Sequence, residues 1–455
     1  MEGNRTQGDG ATRTDSSQAS DGVHDGVLGI FWVLPEARFD ALTSPLVLGR
    51  SESCAVRLDT HQVSREHASI RRDGPLWLLQ DLGSKNGTWL NARRVEFSSL
   101  NEQDVLRIGD FVGVVCTLPR AALQSEALFE QLLPNFLLSS ASVAALGPID
   151  ALATRDLPII VCGETGTGKE LIVRALHERS QRSGRLVAMN CAAVPEAMAE
   201  SLLFGHRKGA FTGAQGCVDG YLQAAHGGTL LLDEVADLPP TVQAKLLRVL
   251  EDRRVTPLGA TEAVRVDFRI VAACQEPLAI AVEEGAFRAD LYARLKGAEI
   301  CIPPLRSRRQ EIVRLLSGFF QLQGDPAPCL NARLVEALCV YDWPHNVREL
   351  KQLAAVLGAS GKSRWTIADL PGSIRDSALN EEQDAPAPAS PAAKERSARR
   401  QAWLSRHARE LDQLRVALRK HEGNVSLAAL EAGVPRHRAR RLLAAEAERG
   451  DAARK

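Results

Sequence analysis

A glycine-rich segment and a pair of carboxylates are the residues best placed to do chemistry. Residues 163–170 read GETGTGKE and lie between the apolar run LPIIVC and the helical pattern ELIVRALHER. In that strand–loop–helix setting, glycines let backbone N–H groups surround a phosphate, and Lys169 reaches its outer oxygens. The segment predicts a nucleotide site, expected to take ATP. Its predicted binding residues are Gly163, Glu164, Thr165, Gly166, Thr167, Gly168, Lys169 and Glu170.

The carboxylates end a second apolar run, GGTLLLDEV over residues 227–235. Asp233 is expected to hold Mg²⁺, and Glu234 to orient and polarise the water that attacks the terminal phosphate. The alternative is a solvated acidic pair beside a loop that binds nothing. Both motifs occur in the expected order and in strand context, which favours an ATPase with ATP and Mg²⁺ as cofactors.

Length and composition indicate a soluble protein of about three domains, since a single hydrophobic core rarely grows beyond about 250–300 residues. The chain has 455 residues, 45% of them apolar, and its 56 basic side chains balance its 56 acidic ones. Its nine cysteines form no CxxC pair, which is typical of reduced thiols in the cytosol. The polar N-terminus and the lack of a long apolar run predict a cytoplasmic location without membrane contact.

The apolar pattern changes along the chain and divides it into segments. Short β-type runs such as FWVL and LWLLQDL predict an all-β sandwich. The strand–helix alternation that follows predicts an α/β domain with a largely parallel sheet. Helical patterns, a linker rich in Ala and Pro, and a basic helical end come next. The predicted segments are a disordered tail at 1–25, the sandwich at 26–119, the α/β domain at 128–304, a helical segment at 305–375, the linker at 376–400 and the basic domain at 401–449.

The central part resembles a known family over roughly residues 129–370. GETGTGKE, MNCAAVPEAMAESLLFGHRKGAFTGAQ and GGTLLLDEVADLPPTVQAKLLRVLEDRRV are similar to the central domain of sigma-54-dependent bacterial enhancer-binding proteins, a clade of AAA+ ATPases. Members of that family carry Glu after the loop lysine, so Glu170 fits. The resemblance implies a P-loop ATPase with a helical lid, a homo-oligomer from dimer to hexamer, and action on sigma-54 RNA polymerase.

The most specific string of the resemblance is GAFTGA. In the family it tips a surface loop that contacts sigma-54. Physically, an exposed Phe211 among small residues is an apolar probe that Thr212 supplements with a hydrogen bond. The alternative is a turn whose Phe211 packs back on its own core. The implied sigma-54 contact residues are Gly209, Ala210, Phe211, Thr212, Gly213 and Ala214.

Two further segments carry residues that the resemblance assigns to catalysis. In FRADLYARL, Arg288 and Arg294 match arginines that reach the nucleotide of a neighbouring subunit. An arginine supplied in trans stabilises charge on the transferred phosphoryl group. The alternative is a pair of ordinary surface arginines that pair with Asp290. Asn190 matches an asparagine that switches partners with the catalytic glutamate, here Glu234.

The lid and one strand depart from the family pattern. WPHNVREL makes Arg348 the expected nucleotide sensor, but His345 replaces a usual Gly and would be strained if the position needs positive φ. Cys274 and Gln275 replace a usual Thr-Asn pair, and a thiol is a poor hydrogen-bonding group. An active ATPase is expected, although these departures would slow hydrolysis or its coupling to loop movement.

The sandwich segment resembles the forkhead-associated (FHA) domain, which binds phosphothreonine peptides with its loop tips. LGRSESCAVRLD, VSREHASI and LQDLGSKNGTWLN carry the resemblance. A phosphothreonine bears about −1.5 to −2 charges, so Arg and hydroxyl donors must converge on it. The alternative is a docking surface that ignores phosphate. The implied phosphopeptide-binding residues are Arg50, Ser64, Arg65, Lys85 and Asn86, with Gly49, His67 and Gly87 in structural roles.

The C-terminal segment is basic, with about three bases for each acid between Arg396 and Arg441. EGNVSLAALEAGVPRHRARRLLAA predicts two short helices that meet near Gly433. It is similar to the Fis-type helix-turn-helix that ends most of these activators. A solvated basic helix is the alternative. The residues expected to bind DNA are Arg436, His437, Arg438, Arg440 and Arg441.

These patterns and resemblances combine into one functional hypothesis. A ring of subunits hydrolyses ATP and remodels the closed complex of sigma-54 RNA polymerase from an upstream DNA site. The FHA domain responds to a phosphothreonine protein, such as a Ser/Thr kinase. Two alternatives stay open: a phospho-dependent DNA-binding adaptor with a weak or decayed ATPase, and a AAA+ remodeller that acts on another polymerase factor.

Overall fold

The computed structural model of the protein describes residues 26–124, 128–133, 136–147, 149–211, 216–325, 328–362 and 364–379. The predicted N-terminal tail, the C-terminal domain and nearly all of the linker lie outside these ranges. Within the ranges, no helix has both the length and the apolarity that crossing a bilayer requires.

The first part of the described chain folds into the predicted β-sandwich. Its strands are β1 (Gly26–Leu34), β2 (Arg38–Ala41), β3 (Leu46–Gly49), β4 (Val56–Arg57), β5 (Ala68–Asp73), β6 (Leu76–Asp81), β7 (Thr88–Leu90), β8 (Arg93–Val95), β9 (Phe97–Leu100), β10 (Val105–Ile108) and β11 (Phe111–Pro119). One sheet has the order β2-β1-β11-β10-β7-β8 and the other β4-β3-β5-β6-β9. Trp32, Leu48, Ile70 and Leu106 are fully buried in the core that holds the two sheets together.

The α/β domain follows with short helices and strands that alternate. Its elements are α1 (Arg120–Gln124), β12 (Phe129–Leu133), β13 (Phe136–Ser139), α2 (Ser140–Leu146), α3 (Ile149–Ala153), β14 (Ile159–Cys162), α4 (Lys169–Arg179), β15 (Leu186–Asn190), α5 (Glu196–Phe204), β16 (Gly205–His206), β17 (Val218–Asp219), α6 (Tyr221–Ala224), β18 (Thr229–Asp233), α7 (Pro240–Asp252), β19 (Arg254–Val255), β20 (Val264–Arg265), β21 (Arg269–Cys274), α8 (Leu278–Glu283), α9 (Ala289–Leu295) and β22 (Ala298–Cys301).

The central sheet of this domain is parallel, with the order β15-β18-β21-β14-β22. Parallel strands covered by helices on both faces are buried on both sides, which explains why runs such as IIVC and TLLL do not alternate with polar residues. Two apolar clusters, one on each face, hold the helices. The carboxyl ends of the strands meet at one edge, where such sheets place their ligands.

The described part of the lid contains three 3₁₀ turns, at Leu305–Ser307, Arg309–Glu311 and Ile367–Asp369. Its other elements are α10 (Ile312–Gln323), β23 (Cys329–Leu330), α11 (Ala332–Val340), α12 (Asn346–Ala359), β24 (Arg364–Trp365) and α13 (Gly372–Leu379). The sequence predicted helices only, and the structure adds the two-residue parallel pair of β23 and β24. Trp365 of β24 is buried and packs against Phe320 of α10, with ring centroids 5.0 Å apart.

The outer face of the sandwich packs on lid helix α11. Strand β11 buries Phe111 and Val115 in the sandwich core, whereas Val112 and Val114 on its other face share an apolar cluster with Val335 of the lid. This explains the run FVGVVCTL, which is apolar on both faces. The sequence did not predict this interface, because an apolar run does not indicate which element covers the second face of its strand.

Candidate functional sites

The glycine-rich loop joins the carboxyl end of β14 to the first turn of α4. Gly166 and Gly168 have φ values of 81° and 105°, which glycine adopts without the steric cost of a Cβ atom. A Cβ atom on Gly166 would lie 2.3 Å from the His345 carbonyl oxygen of the lid. The loop therefore has a conformation able to wrap an anion, and the lid lies directly against it.

Lys169, at the start of α4, points to the acidic end of β18. Its Nζ donates to the Gly163 carbonyl oxygen (2.9 Å) and lies 3.4 Å from Glu234 Oε1. The Lys169 and Glu234 side chains are only 9% and 17% exposed. The loop lysine and the expected catalytic carboxylate are thus neighbours in one sheltered site, as the sequence predicts.

Glu234 adopts a strained conformation and is held by Gln275. Its φ of 52° and ψ of 51° lie in the left-handed region, which costs a non-glycine residue about 1–3 kcal/mol and is common at functional sites. Gln275, directly after β21, donates from Nε2 to Glu234 Oε1 (3.1 Å). Gln275 therefore reaches the carboxylate despite replacing the shorter asparagine of the family.

Asn190 lies against Asp233, whereas the family resemblance led us to expect Glu234 as its partner. Asn190 Nδ2 is 3.5 Å from Asp233 Oδ2, and its Oδ1 accepts from the Ala193 backbone N–H (3.1 Å). The reason is register, since Asn190 and Asp233 are direct neighbours on β15 and β18. An amide beside the expected magnesium ligand is a typical outer contact of a metal-binding carboxylate.

Cys274, the last residue of β21, is buried. The side chain is 2% exposed, and its Sγ lies 3.9 Å from the Val161 carbonyl oxygen. Burial raises the pKa of the Cys274 thiol to about 12, so the group is neutral. The substitution of Cys for the family's Thr thus changes a buried position beside the site, and the contact to Glu234 is made by Gln275.

The lid is bonded to the phosphate loop by residues that sequence reasoning did not single out. Arg306 forms a bidentate ion pair with Glu164 (2.8 and 2.5 Å) and lowers the pKa of that carboxyl. Asn346 donates from Nδ2 to Glu164 Oε2 and to the Thr165 carbonyl oxygen, both at 3.1 Å. Only the position of Asn346 inside WPHNVREL could have suggested its role, because these partners are far apart in sequence.

A second lid arginine, Arg308, contacts the backbone of the phosphate loop. Arg308 donates to the Thr167 carbonyl oxygen (2.8 Å) and pairs with Glu311 at 3.0 Å, with both charged side chains buried. Glu311 also accepts two hydrogen bonds from Ser139, one from its N–H and one from its hydroxyl. Arg308 thus ties Glu311 to the phosphate loop through two of its three nitrogens, while its buried Nε has no hydrogen-bond partner among the described residues.

His345 and Arg348 lie at the start of α12, close to the phosphate loop. His345 has φ of −108°, so the strain considered for a positive-φ position does not arise there. Asn346 carries the positive φ instead, at 53°. The Arg348 Cβ lies 3.1 Å from where a Cβ on Gly166 would stand, and its side chain is exposed. Its predicted role as nucleotide sensor is compatible with this position.

The two candidate trans arginines lie on or beside α9, on the protein surface. Arg288 pairs with Asp290 at 2.7 Å, which is the contact that the alternative interpretation expected, and it lowers the pKa of that carboxyl. Arg294 donates to the Leu250 carbonyl oxygen (3.2 Å). Among the contacts of the described residues, none joins Arg288 or Arg294 to the phosphate loop of the same chain. A role in a neighbouring subunit stays a prediction.

The GAFTGA segment lies between the short strands β16 and β17. Phe211 is 48% exposed, and one edge of its ring contacts His206, with centroids 5.1 Å apart. Its side chain is thus partly packed on the domain and partly open to a partner. The remaining predicted contact residues, Thr212, Gly213 and Ala214, lie outside the described part of the chain.

Cys217 follows this loop and is exposed. Hydrogen bonds from the Lys208 backbone and from the Arg207 side chain lower the pKa of its thiol. The base of the loop therefore carries a thiol that ionises more readily than a free cysteine.

The predicted phosphopeptide residues converge at one end of the sandwich. The Arg50 N–H donates to the Ser64 carbonyl oxygen (2.9 Å), and the Ser64 hydroxyl accepts from the Lys85 N–H (3.1 Å). The Ser51 N–H donates to the Arg65 carbonyl oxygen (3.0 Å). Within the described ranges, no residue pairs with the side chains of Arg50, Arg65 or Lys85. Three cations are therefore available to an anionic ligand.

His67 braces these loops from inside the sandwich, as the resemblance implies. Its Nδ1 accepts from the Ser64 N–H (3.1 Å), so Nε2 carries the proton and donates to the Gly87 carbonyl oxygen (3.2 Å). The side chain is fully buried, and burial lowers its pKa, although Gly87 and Asp81 act in the opposite direction. The neutral imidazole thus fixes the positions of Ser64 and the loop at Gly87.

Asn86 stands at the tip of the next loop. Its Nδ2 donates to the Gln62 carbonyl oxygen (2.7 Å), and its own carbonyl oxygen accepts from Trp89 Nε1 (3.4 Å). Asn86 is exposed, and its predicted contact with a peptide backbone stays a prediction. The predicted DNA-binding residues Arg436, His437, Arg438, Arg440 and Arg441 lie outside the described ranges.

Three family profiles match the chain. The Sigma-54 interaction domain matches residues 138–301, the FHA domain residues 46–109, and the AAA+ ATPase lid domain residues 306–387. The fold and the two sites thus define a AAA+ ATPase joined to an FHA domain.

Two probable regulatory proteins of pathogenicity loci are among the relatives. The pathogenicity-locus protein HrpR of Pseudomonas syringae pv. syringae is 47% identical over 206 residues, which cover 44% of this chain and 66% of HrpR. WtsA of Pantoea stewartii subsp. stewartii is 44% identical over 217 residues, or 47% of this chain and 67% of WtsA. The crystal structure of NtrX from Brucella abortus is 30% identical over 71% of each chain, with a TM-score of 0.49. The chain belongs to the sigma-54-dependent activator family.

Proposed function

We propose that the protein is an ATP-driven, DNA-bound activator of sigma-54 RNA polymerase whose FHA domain reads phosphothreonine. The observation that carries this proposal is the contact of Lys169, Glu234 and Gln275 at the carboxyl edge of the sheet, inside the region that matches the sigma-54 interaction domain. This contact supports an active ATPase in spite of the substitutions at Cys274 and Gln275.

The chain's own residues divide the work of ATP hydrolysis between them. Backbone N–H groups of the glycine loop and Lys169 bind the phosphates, and Asp233 with its neighbour Asn190 would hold Mg²⁺. Magnesium, when bound, neutralises charge on the phosphates. Glu234 is fixed by Gln275 in an orientation from which it can accept a proton from the attacking water. The oxygen donors at this edge fit a magnesium ion, which prefers such ligands.

Hydrolysis requires a ring in this proposal, because the contacts of Arg288 and Arg294 among the described residues are to Asp290 and Leu250 and not to the phosphate loop of their own chain. An arginine from the neighbouring subunit would stabilise charge on the transferred phosphoryl group. The family suggests a homo-oligomer, from dimer to hexamer, held on upstream DNA by the C-terminal helix-turn-helix. Movement of the lid and the sheet edge would then shift the GAFTGA loop, and Phe211 would enter a pocket of sigma-54.

The FHA domain is proposed to set the response to a phosphothreonine protein, such as a Ser/Thr kinase or its substrate. Arg50, Arg65 and Lys85 supply free charge, and the Ser64 hydroxyl supplies a donor at the same end of the sandwich. These groups suit a phosphate better than a neutral docking peptide.

The direct test is an open-complex assay with sigma-54 RNA polymerase on a promoter that carries the protein's DNA site. Wild-type protein with ATP is expected to open the promoter, and Lys169→Ala is expected to leave it closed. ATP turnover without opening would favour a remodeller of another polymerase factor. Turnover no faster than that of Lys169→Ala would favour the adaptor with a decayed ATPase.

A second experiment isolates the loop. Phe211→Ala is expected to retain ATP turnover and to lose nucleotide-dependent capture of purified sigma-54, because the exposed part of this ring is the apolar contact. Val264→Ala is the matched control, since Val264 is another exposed apolar residue of the same domain. Equal capture by the wild type and Phe211→Ala would contradict this role.

A further inference from the structure

A buried ion pair joins the FHA sandwich to the lid of the ATPase. Arg107 on β10 donates from Nε to Glu336 Oε2 on α11 at 2.5 Å. The two side chains are only 10% and 6% exposed. Burial raises the pKa of Glu336, although Arg107 and the backbone of Ala92, both in the sandwich, act to lower it. Breaking such a pair leaves a buried charge without its partner, which costs free energy. The pair is therefore either formed, with the two side chains buried together, or separated.

The sandwich end of this ion pair is connected to the phosphopeptide loop. The Arg107 guanidinium lies 4.4 Å from the centroid of the Trp89 ring, its direct neighbour on β7. A cation over an aromatic face at this distance is attracted to it. Trp89 Nε1 in turn donates to the carbonyl oxygen of Asn86, the residue expected to bind the peptide backbone. Asn86, Trp89, Arg107 and Glu336 therefore form one unbroken series of contacts.

A second contact leads from the sandwich to the phosphate loop. The Arg309 N–H and guanidinium donate to the side-chain and backbone oxygens of Gln103, at 3.2 and 3.1 Å. Gln103 has φ of 70°, a conformation that a non-glycine residue adopts only when its surroundings hold it. The preceding lid residue, Arg308, donates to the Thr167 carbonyl oxygen of the phosphate loop. The docked sandwich thus fixes the segment that supports the nucleotide site.

We infer that the Arg107–Glu336 pair is a clamp through which phosphopeptide binding at Asn86 releases the ATPase lid. This inference rests on the proposed phosphothreonine site. Asn86 exchanges its bond to Gln62 for the peptide, and the loop movement withdraws the Trp89 ring that positions Arg107. The sandwich then loosens from α11 and from Arg309, and the support of the phosphate loop changes with it.

Linkage makes this inference measurable in both directions. If phosphopeptide changes nucleotide affinity by some factor, nucleotide must change phosphopeptide affinity by the same factor. Couplings between sites are commonly about 5- to 150-fold, and a change of at least about fivefold is expected here. Amide hydrogen exchange in Ala332–Val340 should also become faster when phosphopeptide binds, because α11 loses its cover.

The experiment uses the full chain and a peptide pool with a fixed central phosphothreonine, with the unphosphorylated pool as control. Binding of a fluorescent ADP analogue is titrated with and without saturating peptide. The coupling factor is the ratio of the ADP affinities measured with and without peptide. In Glu336→Gln and Trp89→Phe this factor is expected to fall below about twofold, while the phosphorylated pool still binds more tightly than the unphosphorylated one. Glu283→Gln, an exposed carboxylate change on α8, is expected to keep the wild-type coupling factor. Circular dichroism checks that each variant is folded.

Each other outcome has a defined meaning. A phosphopeptide that binds without changing ADP affinity or α11 exchange overturns the clamp and leaves the proposed function intact. The same holds if Glu336→Gln and Trp89→Phe, both folded, retain the wild-type coupling. Equal binding of the two peptide pools removes phosphothreonine sensing itself, and the clamp with it, while the promoter-opening assay still reports on the ATPase.

Discussion

At the scale of single residues, the nucleotide site depends on how one strained carboxylate is held. Glu234 sits in the left-handed region and shares Oε1 between Lys169 and Gln275. Lys169 would be drawn away by a phosphate, after which Gln275 is the contact that keeps Glu234 oriented. Gln275, a departure from the family pattern, is therefore the residue that contacts the proposed catalytic carboxylate.

Gln275→Leu removes this contact at almost constant volume. ATP turnover is expected to fall by about ten- to hundredfold, because a hydrogen bond to a charged group is worth about 1.5–3 kcal/mol. ADP affinity should change less than about twofold, since the phosphates are bound by the loop. Steady-state turnover and ADP titration measure the two quantities. An unchanged turnover would show that Gln275 does not orient Glu234.

His67 predicts a pH dependence of the phosphopeptide end. Its folded pKa lies below the ordinary value, so the unfolded site binds protons more readily than the folded one. The contribution of His67 to the stability of the folded domain is complete above a pH of about 6.5 and is lost as pH falls through the folded pKa. Protonation removes the acceptor that the Ser64 N–H uses, and Asp81 is the charged group that faces the ring.

Amide exchange at Ser64 and Gly87, corrected for the intrinsic effect of pH, tests this prediction. Protection is expected to fall from pH 7.5 to 5.5 in the wild type. His67→Gln cannot titrate there, and its protection should be lower but nearly independent of pH. Segment 246–252 of α7, distant in sequence, provides the internal control. Constant wild-type protection over this range would contradict the assignment.

At the scale of elements, the periodicity of the chain predicts most of the fold. Strand–helix alternation and the glycine loop predicted the parallel sheet. The edge at which Lys169 and Glu234 meet follows from that topology. The contacts of Arg306 and Arg308 could not be foretold, because their partners are more than a hundred residues away in the sequence. The pair β23 and β24 was missed for a different reason, since two-residue strands leave no periodic signal.

Helix α9 carries a prediction about neighbouring subunits. Lys169→Ala and Arg294→Ala should each be inactive alone, one lacking a phosphate ligand and the other the arginine given to its neighbour. In an equal mixture, about a quarter of the interfaces pair an intact loop with an intact arginine, so about a quarter of the wild-type turnover should return. A mixture as inactive as its parts would contradict a role of Arg294 in trans. Arg248→Ala, on α7, is the surface control.

At the scale of the whole molecule, the FHA domain and the ATPase lid are packed as one body. The outer face of β11 and the buried pair of Arg107 and Glu336 make this interface resemble a domain interior. No sequence pattern indicates this contact, because charge pairing over 229 positions has no local signature.

Arg107→Ala is expected to destabilise the docked arrangement by about 3–5 kcal/mol, since it leaves Glu336 buried and unpaired. The double variant Arg107→Met with Glu336→Leu should recover most of this loss, because apolar residues of similar volume replace buried pairs at little cost. Urea denaturation, followed by tryptophan fluorescence, gives the midpoints. If Arg107→Ala and the double variant unfold at the same midpoint, an uncompensated charge is not the cause.

The thiol at Cys217 has a practical consequence for watching this protein at work. Six of the nine cysteines are buried, and the other exposed ones, Cys301 and Cys329, can be replaced by serine. A maleimide dye would then attach beside the GAFTGA segment at a cysteine of the chain itself, and at lower pH than an ordinary thiol allows. Its emission would follow that segment in real time through each round of nucleotide turnover.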